Sequence, residues 1–212
     1  MESVGSPEFK TQNEILSDEL KSLFERMLPM DLREAEAVDV VSVASGQFVQ
    51  ELAGVYSLIP GVREFRAVDR GIQEGLLKIL NDQKSSFKGF RLENGDVSNG
   101  DVLGQSRYDL AILRNPQVGS LTTPGEVNPE WKLIIQNTLD CVKPGGYLLI
   151  SGHFPDEFER TMDFIKRTGV GCEILTQEDP ITPSLKSGIP MKESSIALLR
   201  KPVAPMAIPT SR

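Results

Sequence analysis

The sequence is poor in the residues that build metal centres, disulfide frameworks and nucleic-acid surfaces. Its 212 residues include two cysteines and one histidine, too few for a disulfide framework and at no spacing typical of a metal site. The net charge is −7 and no run of Lys or Arg is visible, which argues against broad binding to phosphate backbones. We therefore expect no metal ion, no broad nucleic-acid binding, and buried thiols at Cys141 and Cys172.

Long apolar runs are missing as well. No stretch approaches the ~18–20 apolar residues that a membrane-spanning helix needs, and no basic and apolar signal segment opens the chain. These absences predict a cytoplasmic protein in a reducing compartment, without membrane association. The length favours one domain with a full core, and the composition leaves the oligomeric state open.

The two ends of the chain differ in composition from its middle. Residues 1–12 are polar and small, and they contain a Gly-Ser-Pro-Glu-Phe run that resembles a cloning-derived linker. Residues 202–212 are rich in proline and predict a mobile tail. We expect the folded domain to occupy residues 13–201, with a disordered or cloning-derived segment before it.

The middle of the chain is organised around residues 38–69. An apolar, β-branched run at 38–43 is followed by Ala44-Ser45-Gly46, by a helical pattern that starts at Phe48, and by a second strand that ends at Asp69. Such runs indicate strands buried on both faces, and the order strand, helix, strand predicts a parallel crossover. Helical N–H groups after the small-residue turn, and a carboxylate after the second strand, suit a nucleoside ligand.

The alternation of strands and helices continues to the end of the predicted domain. Spacing of apolar residues predicts helices over 13–28, 71–81, 129–142 and 155–168, and further strands over 87–93, 108–113, 147–150, 172–176 and 194–199. Residues 143–146 predict a turn. Over 96–107 the expected crossover helix must be short or replaced by a loop. No helix fits 177–193 with its three prolines, so we expect the last two strands to pair antiparallel.

This order resembles that of the class I S-adenosylmethionine-dependent methyltransferases. The antiparallel last strand and the Val-Lys-Pro-Gly-Gly run at 142–146 add to the resemblance, which covers nearly all of residues 13–201. It implies a three-layer α/β, Rossmann-like fold. The sheet would have seven mostly parallel strands in the order 3-2-1-4-5-7-6, with the last strand antiparallel.

The resemblance also implies S-adenosylmethionine as cofactor. Asp69 would bind the ribose hydroxyls, which we favour over the alternative that it caps the next helix. Asp96, in Asn94-Gly95-Asp96, would meet the adenine amino group, although it could be only a turn residue. The implied cofactor-binding residues are Ser42, Ala44, Ser45, Gly46, Asp69, Arg70, Asp96, Val97 and Arg114.

The turn that is glycine-rich in that family is altered here. Ala44, Gly46 and Phe48 stand where the family has three glycines, and Ser42 stands where it has an acid. Ala44 adds only a Cβ, which is tolerated if its φ stays negative. Ser42 can accept a hydrogen bond, but it supplies no charge toward a sulfonium or amino group.

Two residues are candidates for a catalytic role. Asn115 belongs to an Asn-Pro-Gln-Val run that half-matches the motif of methyltransferases acting on exocyclic amines, and it also suits a simple turn. His153 follows the fifth strand and is either a general base or a polar loop residue. The long loops 117–127 and 178–193 suit lids or binding loops, and Trp131 suits either the pocket mouth or the core.

Together these features predict a methyltransferase that acts on a small molecule or another non-polyanionic acceptor. The alternative is a methyltransferase-like binding module without catalysis, whose signature would be the altered turn. A nicotinamide-dependent oxidoreductase is disfavoured, because residues 44–48 lack the Gly-x-Gly-x-x-Gly pattern.

Overall fold

The computed structural model describes residues 12–45, 49–114, 116, 118–119, 126–152, 154–168, 171–178 and 195–203. Within these residues the elements are α1 (Gln12–Met27), α2 (Met30–Arg33), β1 (Val38–Val43), α3 (Leu52–Leu58), β2 (Val62–Asp69), α4 (Glu74–Gln83), β3 (Phe90–Asn94), β4 (Tyr108–Arg114), α5 (Pro129–Cys141), β5 (Val142–Gly152), α6 (Pro155–Arg167), β6 (Glu173–Glu178) and β7 (Ser195–Arg200). The segments 1–11 and 204–212 lie outside the described residues, so the expected boundaries of the domain stay predictions.

The strands form one sheet in the order β3-β2-β1-β4-β5-β7-β6. The first five strands run parallel to one another, whereas β7 is antiparallel to both β5 and β6. The predicted strand count, order and antiparallel last strand are therefore confirmed.

Helices cover the sheet on both faces. The apolar residues of α1 to α4 pack with alternate residues of the strands on one face, and those of α5 and α6 pack on the other. All six residues of β1 are buried. This arrangement confirms the prediction of strands buried on both faces, and it makes a three-layer α/β domain.

Two helices begin later than the sequence pattern predicts. The helix expected from Phe48 begins at Leu52, because Val49 has a φ of 44°, which a right-handed helix cannot include. The helix expected from Gly71 begins at Glu74, because Gly71 has a φ of 81°. The short α2 after Pro29 was not predicted.

The predicted turn at residues 143–146 is instead part of β5. Tyr108 pairs with Val142 and Leu110 with Tyr147, so these residues form an irregularity in the strand rather than a separate turn. Gly145 has a φ of 81°, and its N–H donates to the carbonyl of Lys201 at 2.9 Å. Gly145 thus has the positive φ typical of a turn residue, but backbone pairing keeps the segment in the sheet.

The connection from β3 to β4 is a loop, one of the two alternatives left open by the sequence, and two side chains hold it in place. Arg66, on β2, pairs with Glu93 and donates to the carbonyl of Val102 at 2.6 Å. Asn137, on α5, donates through its amide to the carbonyls of Val97 and Ser98 at 2.7 and 3.1 Å. Side chains here satisfy backbone groups that a helix would have paired internally.

Both cysteines are free thiols. Cys141 is fully buried at the end of α5, and Cys172, just before β6, is partly buried. Burial raises the pKa of Cys141 to about 12 and also raises that of Cys172. The expectation of a buried thiol is thus met fully at Cys141 and in part at Cys172.

Across the described helices, none is both long and apolar enough to cross a membrane.

Asn137→Ala should destabilise the fold through this connection. It leaves two backbone carbonyls without their amide donor, so the free energy of unfolding should fall by about 1–3 kcal/mol. Gln136→Ala, on the same helix, is the matched control because among the described residues its amide bonds to the Asp140 carboxylate and to no backbone carbonyl, and it should change stability by less than about 0.5 kcal/mol. Urea unfolding measures both, and equal losses would contradict the role given to Asn137.

Asp39→Asn should lower the free energy of unfolding by an amount that depends on pH. The hydrogen bonds from the Arg63 guanidinium, with help from Lys143, hold the pKa of Asp39 below its usual value. A depressed pKa stabilises the folded state above the unfolded value near 4, and this is lost as the pH falls through the folded value. The loss caused by Asp39→Asn should therefore be full at pH 7 and shrink toward pH 3 in urea unfolding. A constant loss would show that charge is not its origin.

Candidate functional site

The carboxyl ends of β1 to β4 meet at one edge of the sheet, as parallel strands require. Ser42, Asp69 and Arg114 lie at the ends of β1, β2 and β4, and Asp96 follows β3. Asp69 pairs with Asn94 across β2 and β3. Its carbonyl also accepts the N–H of Gly95 at 3.0 Å. The fold therefore gathers most of the predicted cofactor-binding residues where ligands bind in open α/β sheets.

Four charged side chains interact at this edge, namely Asp69, Arg70, Asp96 and Glu130. Glu130 raises the pKa of Arg70 chiefly through hydrogen bonding, and the charges of Asp96 and Asp69 raise it further. Hydrogen bonds from Ser98 lower the pKa of Asp96 most, and the charge of Arg70 adds to this. The two predicted nucleoside-binding acids thus share one electrostatic environment with Arg70.

The start of α4 bears on the alternative roles of Asp69. The next helix, α4, has Gln73 as its N-cap residue, with no side-chain capping bond. The N–H of Gly71 is bonded to the side chain of Asn94 at 3.0 Å. Gln73, rather than Asp69, is thus the N-cap residue of α4, and ribose binding stays the prediction for the partly exposed carboxylate of Asp69.

Asp96 does form the turn that was its alternative role. Its Oδ1 accepts the backbone N–H of Ser98 at 2.9 Å, which closes an Asx turn. The side chain is exposed and also makes a hydrogen bond with the side chain of Ser98. A role in adenine binding is compatible with this turn and stays a prediction.

Arg70 bridges from the end of β2 to the start of α5. Its guanidinium contacts the carboxylate of Glu130, with one of the contacts at 3.3 Å. The position of Glu130 is fixed because Asn128 caps α5 and accepts the N–H of Glu130 at 2.9 Å. Sequence reasoning identified this cap but not the bridge, which depends on the tertiary fold.

The loop between β1 and α3, residues 44–51 and here called the β1–α3 loop, is strained at both of its described ends. Ala44 has a φ of 54° and Val49 has a φ of 44°. A left-handed conformation is unfavourable in free energy for any non-glycine residue, and most unfavourable for a β-branched one. The condition under which Ala44 was expected to replace glycine freely is not met. Strain of this kind concentrates at ligand-binding segments.

A buried cluster of charges lies at the base of this loop. Glu51 has no exposed surface. Its carboxylate accepts a hydrogen bond from the hydroxyl of Ser42 and pairs with the guanidinium of Arg114 at 2.9 Å. Arg114 also donates to the side-chain oxygen of Gln50 at 3.2 Å. The carboxylate that Ser42 lacks is thus supplied from the other end of the loop.

Sequence analysis named Ser42 and Arg114 but missed Glu51. One signal was available, because Glu51 immediately precedes the apolar stripe of α3 and Arg114 ends a strand that is otherwise apolar. A single charge of each sign next to buried segments is consistent with a buried pair. Their contact, over 63 positions of the chain, could not be read from the sequence.

Next to Arg114, on β5, lies a buried hydroxyl. Ser151 pairs with Arg114 across β4 and β5 and has no exposed surface. Its Oγ has no hydrogen-bond partner in the part of the chain that the structure describes. An unpaired buried hydroxyl has a free-energy cost, so a polar group of a ligand or a water molecule would be favoured here.

The remaining predicted site residues divide into two groups. Ser45 and Val97 are buried at this edge, whereas Gly46, Phe48, Asn115 and His153 lie outside the described residues. Trp131 packs against the core cluster that includes α5 and α6, which supports its core interpretation. Of the two long loops, only the ends of 117–127 are described, joined by an antiparallel bridge between Gly119 and Val127, and nearly all of 178–193 is outside.

The donor set at this edge fits a nucleoside with a charged tail better than a metal ion. In the described ranges, no group of three or more His, Cys, Asp or Glu side chains is arranged to hold a metal. The edge offers the half-exposed carboxylate of Asp69, the exposed Asp96 and the unpaired hydroxyl of Ser151. Hydroxyl-accepting carboxylates and a buried orphan hydroxyl are suited to S-adenosylmethionine, whose ribose and methionine groups would need such partners.

Ala44→Gly should stabilise the folded state. Glycine removes the left-handed penalty of about 1–2 kcal/mol, offset in part by the greater entropy of the unfolded chain, so a net gain of roughly 0.5–1 kcal/mol is expected. Ala53→Gly, at an exposed position of α3, is the control and should lose about 0.5–1 kcal/mol. Thermal unfolding compares the two, and a loss at Ala44 would show that its φ is not strained.

Comparison of the whole chain with known proteins finds similar folds among solved structures. No protein-family model matches the sequence, and no curated protein matches it. Among solved structures, an rRNA methylase from Streptococcus thermophilus is similar with a TM-score of 0.54 and 16% identity, over 92% of this chain and 98% of that one. A protein from Listeria monocytogenes described as a class I S-adenosylmethionine-dependent methyltransferase has a TM-score of 0.60 and 18% identity, over 96% and 66% of the two chains.

A third similar structure has a different reaction in its name. The [4+2]-cyclase SpnF has a TM-score of 0.60 and 14% identity, over 89% of this chain and 81% of that one. Identities this low establish shared architecture and not shared chemistry. From its sheet order and these similarities, the chain has the Rossmann-like fold of the class I S-adenosylmethionine-dependent methyltransferases.

Proposed function

We propose that this protein is an S-adenosylmethionine-dependent methyltransferase that acts on a small molecule or another non-polyanionic acceptor. The observation that carries the proposal is the meeting of Asp69, Asp96 and the β1–α3 loop at one edge of the sheet. When bound there, S-adenosylmethionine would supply an electrophilic methyl group on a sulfonium.

The protein's own residues would bind the cofactor and the acceptor and orient them toward each other. The carboxylate of Asp69 would accept hydrogen bonds from two vicinal ribose hydroxyls, and Asp96 would accept one from the adenine amino group. Asn115 or His153 would contact the acceptor. Transfer to a nucleophilic sulfur, nitrogen or enolate needs chiefly an in-line arrangement, so positioning by these groups is sufficient for catalysis.

The charge at the candidate site supports a non-polyanionic acceptor. Asp96 is exposed, and Asp69 and Glu130 are partly exposed, whereas Arg70 is exposed and Arg114 is buried. The described part of this edge thus presents more negative than positive charge, and the chain carries a net −7. A phosphate backbone would be repelled by this balance. The reducing, cytoplasmic setting expected from the sequence belongs to the same proposal.

Binding of the cofactor through Asp69 is tested by thermal unfolding. Ligand at about 100 times its Kd should stabilise the folded state by about 2.7 kcal/mol, which corresponds to a rise in Tm of roughly 5–10 °C for a domain of this size. Asp69→Ala removes two charge-assisted bonds to ribose, so it should abolish most of the rise, measured relative to the unliganded Tm of the same variant.

Asp82→Ala, at an exposed position of α4, is the matched control and should keep the full rise. If neither S-adenosylmethionine nor S-adenosylhomocysteine raises the Tm at millimolar concentration, the proposed cofactor is wrong. The acceptor class is tested separately, by following label from S-adenosyl[methyl-³H]methionine into a metabolite extract and into total RNA. Label in RNA alone would overturn the small-molecule acceptor.

A further inference from the structure

The sheet ends at β3, and the outer side of this strand lies away from the candidate site. On its inner side β3 pairs with β2, and no strand among the described residues pairs with it on the other side. The carbonyl of Gly89 and the N–H of Gly95 both bond to β2. Because alternate residues of a strand bond to the same neighbour in a parallel pair, the backbone groups of Phe90, Leu92 and Asn94 face outward.

One side chain takes both outward backbone groups of Leu92, the central residue of β3. The Oδ1 of Asn81, on α4, accepts the N–H of Leu92 at 2.8 Å, and its Nδ2 donates to the carbonyl of Leu92 at 2.9 Å. The same Nδ2 donates to the carbonyl of Leu77 at 3.0 Å, which anchors the amide to its own helix. A residue of an antiparallel neighbour would make the same two bonds to Leu92. The amide of Asn81 therefore occupies the place of a strand partner.

The charges of β3 are complementary to those of a second copy of the same strand. Arg91 and Glu93 have 46% and 30% of their side-chain surface exposed, and they form an ion pair within their own chain. If two copies of β3 paired antiparallel about Leu92, Arg91 of each copy would stand opposite Glu93 of the other, in the type of pair in which side chains are closest. Opposite charges placed in this way stabilise a pair of strands.

An outer strand edge is a template for pairing with another chain, and charged side chains are a common way to prevent this. On β3 the charges cannot prevent pairing with a second copy, because they match. The bonds from Asn81 to Leu92 are the feature of this edge that opposes it.

We propose that the outer edge of β3 is a latent dimerisation surface that fits a second copy of this chain, and that Asn81 keeps it closed. Two copies could pair at Leu92 only after each had lost its two bonds to Asn81. Four hydrogen bonds at the low end of their usual net strength correspond to about a 30-fold weaker association. The inference does not depend on the proposed function, because neither Asn81 nor the outer edge of β3 takes part in it.

The test is the self-association of Asn81→Ala, measured by sedimentation velocity over a series of protein concentrations. Alanine has a higher helix propensity than asparagine, so the variant retains α4. We expect it to associate about 30-fold more strongly than the wild type, into a species of twice the wild-type mass. Asn137→Ala is the matched control, because it also removes an amide that donates to backbone carbonyls, but in a loop. It should sediment as the wild type does.

Two further measurements locate the association at β3. Hydrogen exchange followed by NMR should show the N–H of Leu92 protected in the wild type at every concentration. In Asn81→Ala it should exchange freely in dilute solution and become protected as the concentration rises. Adding Arg91→Glu to Asn81→Ala sets like charges opposite each other at Glu93, so it should return the association to the wild-type strength.

Several results would overturn the inference. Asn81→Ala could associate no more strongly than the wild type, or no more strongly than Asn137→Ala, which would attribute any effect to a general loss of stability. An association that persists with Arg91→Glu would show that the second copy does not pair along β3. In the wild type itself, protection of Leu92 that appears only at high concentration would show that Asn81 does not close the edge, and this measurement requires no variant to fold.

Discussion

The burial of β1 on both of its faces is the constraint on which the rest of the structure depends. A strand whose six residues are all buried must have helices on each side and a paired strand along each edge. Parallel partners β2 and β4 supply the edges. Each connection between two parallel strands must then cross a face of the sheet. The carboxyl ends of β1 to β5 therefore lie together at one open edge.

This edge is where the chain carries polar groups that its apolar centre cannot accept. Ser42 is the polar residue of β1 closest to this edge. The side chains of Glu51 and Arg114, which carry opposite charges, are buried beside it. Desolvation of each charge is costly, and the pair offsets that cost only because their geometry and hydrogen bonds are good. The strained φ angles of the adjoining loop add to the cost of this arrangement. These free-energy costs are thus concentrated at the edge where we propose that the ligand binds.

The architecture alone does not determine the reaction. Structures of similar architecture include an rRNA methylase and a [4+2]-cyclase, and the sheet order of this chain is compatible with both. What distinguishes one protein of this fold from another is the chemistry at its open edge. In this chain the edge has two acids near Arg70 and a neutral pair at the base of its first loop, and our functional proposal depends on these groups.

The sequence by itself determined the number of strands and the antiparallel last strand, because apolar runs, turn residues and the missing helix before the last strand are all local signals; the order of the strands was implied by the family resemblance. It also placed Asp69 and Asp96 at the correct edge, because parallel strands end together. It could not determine that Val49 delays α3, since a left-handed β-branched residue contradicts local preference. Nor could it join Glu51 to Arg114 across 63 positions. Only the tertiary structure decided these points, because burial of a charge is tolerated only where packing brings its partner into contact.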